Sequence, residues 1–147
     1  MVDASVRELK EETGLDGVFD RILSFRQTHG GIFDHSDMFF VCLLTLDSKY
    51  IECLRRNEEI ELIPQALEIE NISWMEADDY ANQERWQASP LYQEINRIIT
   101  DVAKKSKKKD GCKEDQSCRS SGDGGFIAKS LPVGFRPGYN TVFVSKT

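Results

Sequence analysis

Several things are scarce in this sequence. Of its 147 residues, two are histidines and four are cysteines, and no two cysteines stand as C-x-x-C. A disulfide framework is therefore not the expected source of stability, and the thiols read as reduced ones in a cytoplasmic protein. No apolar run approaches the roughly 18 residues that a membrane helix needs. No basic segment followed by an apolar one opens the chain, so no signal peptide is expected. Basic charge is in deficit, with 19 Lys and Arg against 25 Asp and Glu and a net charge of -6, which argues against general nucleic-acid affinity. What remains is an ordinary composition, 39% hydrophobic and 30% charged, long enough for one domain with a core.

The spacing of apolar residues predicts the elements. Residues 3–13 read as a helix with Val2, Val6, Leu9 and Thr13 on one face, Asp3 or Ser5 as its cap and Gly14 as its stop. Residues 18–27 and 38–46 read as strands. The second, "MFFVCLLTL", is nearly all apolar and is expected to be buried on both faces. Residues 47–66 look irregular, and residues 67–75, "LEIENISWM", alternate as a strand with a bulge near Asn71. A short helix is expected from Glu76. A long one starts at Ser89-Pro90, with Leu91, Ile95, Ile98, Ile99 and Val102 as its stripe. Residues 104–125 carry almost nothing apolar and read as a flexible basic, Gly- and Ser-containing linker or loop. The tail, 126–147, holds a possible short strand at "NTVFV".

One short stretch breaks local rules. In "RELKEETGL", Glu8 and Glu12 are like charges one helical turn apart, and Glu11 and Glu12 stand in the last turn, where the helix dipole disfavours negative charge. Arg7 can orient Glu11 across one turn, whereas Lys10 points elsewhere. A hard divalent cation such as Mg²⁺ or Mn²⁺ would remove the repulsion, since carboxylate oxygens are its preferred ligands. An acidic solvated face is the plain alternative.

Arg7, Glu8, Leu9, Glu11, Glu12, Gly14 and Leu15 match every fixed position in the second half of the Nudix box, G-x5-E-x7-R-E-U-x-E-E-x-G-U, where U is a bulky aliphatic residue. Over residues 1–103 the chain resembles Nudix hydrolases, most closely the plant cytosolic subgroup preferring ADP-ribose and NADH. The features are "LSFRQTH" at 23–29, "SDMFFVCLL" at 36–44, Glu68-Ile69 and Trp74-Met75.

The resemblance implies an α+β fold, a Nudix-type α/β/α sandwich with a mixed sheet, whose first strands and first box glutamate would fall before Met1. It implies a partial hydrolase domain at 1–103, followed by the linker or loop at 104–125 and the tail at 126–147. It implies hydrolysis of the pyrophosphate bond in nucleoside diphosphate derivatives, with Mg²⁺ or Mn²⁺ held by Glu8, Glu11 and Glu12. Glu12 would be the most critical, Arg7 would align the site, and Glu68 would serve as base or extra ligand, or else be a solvent-facing strand residue. Phe25 could stack on a base, with Arg26 or Gln27 reaching phosphate or ribose. Equally, Phe25 could belong to the core. The alternative function is a catalytically defective fragment with at most weak nucleotide binding. Unpaired strand edges also raise the expectation of a homodimer. Elsewhere, His29 and His35 with Asp34 and Asp37 make a poor metal site, and Cys112 and Cys118 are poorly spaced for zinc.

Overall fold

A computed structural model describes residues 1–29, 36–65, 68–110, 125–135 and 137–146, without the side chains of 108–110. In chain order the elements are α1 (Val2–Thr13), β1 (Gly17–Thr28), β2 (Asp37–Leu46), α2 (Ser48–Arg55), α3 (Ala77–Ala81), α4 (Glu84–Gln87), α5 (Pro90–Asp110), β3 (Phe126–Pro132) and β4 (Tyr139–Ser145). The class is α+β, as expected. Among the described residues the sheet has four strands in the order β2-β1-β4-β3, and the pairings of β4 with β1 and with β3 are antiparallel, where a mixed sheet was expected. The chain divides into two compact units, Met1–Arg21 with Cys42–Trp74, and Ile22–Val41 with Met75–Thr147.

The first unit is built around α1 and α2. Residues 47–66 are not irregular throughout, because α2 forms at their start. Asp47 caps it, accepting from the Lys49 amide at 3.0 Å, and Tyr50, Ile51 and Leu54 follow at helical spacing. The strand expected at 67–75 is absent from the described residues. Glu68 and Ile69 donate to the Gln65 carbonyl in a turn, and the rest up to Glu76 lies outside any element. Ile69 and then Ile72 and Trp74 lie in opposite phases of a two-residue repeat, so a regular strand would put them on opposite faces. Leu67 lies outside the described residues.

The second unit contains most of the core. Ser89 and Pro90 start α5 as its sequence predicts, with the Tyr92 amide donating to Ser89 Oγ at 3.4 Å. Leu91, Ile95, Ile98 and Val102 are buried, and Ile99 is half-buried. They pack α5 against β3 and β4, from which Val142 and Val144 are also buried. "NTVFV" is thus part of an inner strand, and β3 beside it was not anticipated. Residues 104–110, read as the start of a linker, continue α5. Lys104 pairs with Asp78 at 2.9 Å and Lys107 with Glu76 at 2.5 Å, so this end is tied to α3 and its cap. The remainder of that linker, with Cys112 and Cys118, lies outside the described residues.

The apolar strand at 38–46 forms as β2, but not as a buried one. It stands at one end of the strand order, none of its residues is fully buried, and Met38 and Phe39 are 49% and 43% exposed. An edge strand has one neighbour instead of two, whatever its composition. Among the described residues no helix is long and apolar enough to cross a membrane.

Candidate functional site

α1 starts at Val2, one residue earlier than expected. Its cap is Met1, which contributes no side-chain bond. Asp3 therefore falls in the first turn, and the Ser5 hydroxyl donates to the Val2 carbonyl. Val2 is exposed, whereas Val6, Leu9 and Thr13 are half-buried. The helix ends at Gly14, whose φ of 75° lies in the left-handed region and whose amide donates to the Lys10 carbonyl. A Cβ at Gly14 would meet Ile63 Cβ at 3.0 Å, and the Ile63 amide donates to the Thr13 carbonyl at 3.0 Å. Glycine is thus required both by φ and by the close approach of residue 63.

Glu8, Glu11 and Glu12 all stand on the exposed surface of α1. Arg7 reaches Glu11 across one turn at 3.7 Å and its neighbour Glu8 at 3.5 Å. Lys10 turns away from them, donating to the Gly14 carbonyl at 3.0 Å and pairing with Asp16 at 2.9 Å. The oxygen donors are of the right kind for a hard divalent cation. As placed they do not close a ligand shell, since no group of three or more His, Cys, Asp or Glu is gathered for a metal among the described residues.

Asp16 was not singled out by sequence reasoning, yet it is the hub that joins α1 to α2. Its carboxylate takes Lys10 and Lys49, and the Tyr50 hydroxyl donates to it at 3.3 Å. Its carbonyl accepts from the Asp47 amide at 3.0 Å. The hydrogen bond from the Lys49 ammonium, followed by that from Lys10, holds the Asp16 carboxyl down to about 2. Because the folded value lies below the ordinary value of about 3.9, this contribution is present above pH 4 and is lost as pH falls through the folded value. Carboxyl ¹³C titration should therefore give Asp16 a midpoint of about 2. A midpoint in the ordinary Asp range would remove the Lys10–Asp16–Lys49 junction.

Glu68 lies in the same unit, exposed, on the turn after Gln65. Phe25, Arg26 and Gln27 belong to the second unit. Phe25 is half-buried in an aromatic group, stacked on Phe143 at 4.7 Å, edge-on to Phe126 at 5.0 Å and 6.0 Å from Phe40. Arg26 alternates to the other face. Its guanidinium donates to the Tyr92 hydroxyl at 3.1 Å and to Thr28 Oγ1 at 2.9 Å, and lies over the rings of Phe39 and Tyr92. These bonds commit much of Arg26 to holding β1 against α5. Gln27 is exposed. His29 bonds Ser36 at 2.9 Å, while Asp34 and His35 lie outside the described residues.

No family model matches the chain. Curated relatives do. It is 43% identical to Nudix hydrolase 2 of Arabidopsis thaliana over 102 residues, 68% of this chain and 31% of that protein. It is 40% identical to Nudix hydrolase 10 of the same plant over 103 residues, 70% of this chain and 33% of that protein. To the human protein named nucleoside diphosphate-linked moiety X motif 6 it is 32% identical over 104 residues, 66% of this chain and 27% of that protein. These similarities support the Nudix family for this chain, which spans about a third of the length of the relatives it matches.

Proposed function

We propose that this chain carries the carboxylate helix of a pyrophosphohydrolase that cleaves nucleoside diphosphate derivatives, with ADP-ribose and NADH as the substrates to test. The observation that carries the reading is the match of Arg7 to Leu15 to the box on a helix that leaves all three glutamates at the surface. The cofactor is Mg²⁺ or Mn²⁺. When bound, it would neutralise pyrophosphate charge and acidify a water. Glu8, Glu11 and Glu12 are the side chains that would hold it, and Arg7 would keep Glu11 in place. Glu68 remains a candidate base or further ligand, and Phe25 and Gln27 candidates for substrate contact. A cytoplasmic setting fits the half-buried free thiols of Cys42 and Cys53, and a homodimer fits the open edge of β2.

A second reading is a catalytically defective segment with weak nucleotide binding. It is favoured by the lack of a gathered three-ligand group among the described residues. Hydrolysis of ADP-ribose and NADH by the chain, compared with a form carrying a G-x5-E segment before Met1, separates the two. Activity in the longer form alone would fit the first reading; activity in neither would leave the second.

Cation binding has its own readout. Manganese at a hundred times its dissociation constant should stabilise the folded chain by about 2.7 kcal/mol if it binds only that state. Thermal melts of Glu8→Gln/Glu12→Gln should lose the response. An equal shift in the double variant would place the cation elsewhere.

A further inference from the structure

The second unit has a cleft of about 260 Å³ between α3, α4 and α5. Helices that meet normally do so through apolar stripes. Here α5 presents a second stripe beside its apolar one, Gln93, Asn96 and Thr100, at steps of three and four residues. Asn82 and Gln87 face it from the shorter helices. Asn96 and Thr100 are only 4% and 8% exposed, as buried as core residues. The Asn96 side-chain amide nitrogen is buried with no hydrogen-bond partner among the described residues, a state folded proteins rarely tolerate without water or a ligand nearby.

The charges at the cleft are already matched. Asp78 is paired with Lys104 at 2.9 Å, and Arg97 with Glu94 at 2.8 Å and Asp101 at 2.6 Å. An ionic ligand would have to compete with those partners. What is left is a set of carboxamides, each both donor and acceptor. The Gln93 amide donates to the Gln87 carbonyl at 2.6 Å, leaving its side-chain oxygen as an acceptor. Groups of that kind match hydroxyls, which also donate and accept. The volume falls below the roughly 300–1,000 Å³ of sites for drug-sized ligands. We propose that the cleft lined by Asn82, Gln93, Asn96 and Thr100 binds a single neutral sugar ring. None of its residues belongs to the glutamate helix, so the proposal stands apart from the reading of α1.

The test is a titration of the ¹⁵N-labelled full chain with D-ribose, with D-glucose and, as an ionic control, with inorganic phosphate. Side-chain amide signals of Asn82, Gln93 and Asn96 should move saturably with one of the sugars, with a dissociation constant of about 1 mM. Asn82→Ala and Gln93→Ala alter exposed side chains, so the fold should persist, and each should weaken sugar binding at least about tenfold, or 1.4 kcal/mol. The proposal is overturned by flat titrations up to about 50 mM sugar, by movement with phosphate alone, or by equal affinity in both variants. Flat titrations would assign the cleft to water.

Discussion

Gly134→Ala is expected to lower the melting temperature of the second unit by roughly 10 °C or more. Gly134 has a φ of +90° in the turn between β3 and β4, where a side chain is strained whatever the space around it. Space is also missing. A Cβ there would lie 1.9 Å from the Ala88 carbonyl oxygen and 2.7 Å from Ser89 Cα, both backbone atoms of the link between α4 and α5. Backbone strain of about 1–3 kcal/mol adds to a similar cost for overpacking. The neighbour most affected is Val133, a fully buried core residue. Gly138 supplies the control. Its φ is +112°, but no atom of the described residues lies within 4 Å of a Cβ there, so Gly138→Ala is expected to carry the backbone cost alone. Calorimetric melts of the two variants should differ by several degrees. Equal melting temperatures would show that the turn can withdraw from α5.

If the proposed hydrolysis holds, Glu12→Gln should reduce turnover on ADP-ribose by at least about a hundredfold, close to 3 kcal/mol of barrier, in a form of the chain extended to include a G-x5-E segment. The expectation rests on the place of Glu12 in "EETGL" and on the unfavourable company it keeps. It is one turn from Glu8, beside Glu11, at the end of the helix where negative charge is disfavoured. Its side chain is exposed, so folding should be nearly untouched or slightly improved by the loss of repulsion. Turnover is read with Mg²⁺ and with Mn²⁺, alongside a melt of each protein. Near wild-type turnover would take Glu12 out of the mechanism. A large drop in melting temperature would mean that the helix needs this carboxylate for its own stability.

Much of the fold was legible where the signal is local. Gly14 had to end α1 because the φ it adopts suits a residue without a Cβ. Ser89 and Pro90 had to begin α5 because one supplies a hydroxyl to an orphan amide and the other lacks an amide to satisfy. Helix α2 was equally legible in principle. Asp47 is a good cap, and only the charge around it hid the helical spacing of Tyr50, Ile51 and Leu54. The glutamate helix was legible both as a pattern and as a set of local conflicts. The Asp16 hub was not, because its partner Lys49 comes from a helix 33 residues away in sequence.

Residue types and their periods by themselves determined α1, β1, β2 and the start of α5, where α1 stops, and that three carboxylates share the surface of α1. Those choices depend on backbone geometry and on neighbours within one or two turns. The tertiary structure alone decided that the most apolar strand stands at a sheet end, while the tail supplies the inner strand β4. Strand order is set by contacts between distant parts of the chain, and burial follows from order as much as from composition. The same reason settles the surroundings of Phe25 and Arg26. Adjacent in sequence, they point to opposite faces of β1, one into a group of phenylalanines and the other toward Tyr92 on α5.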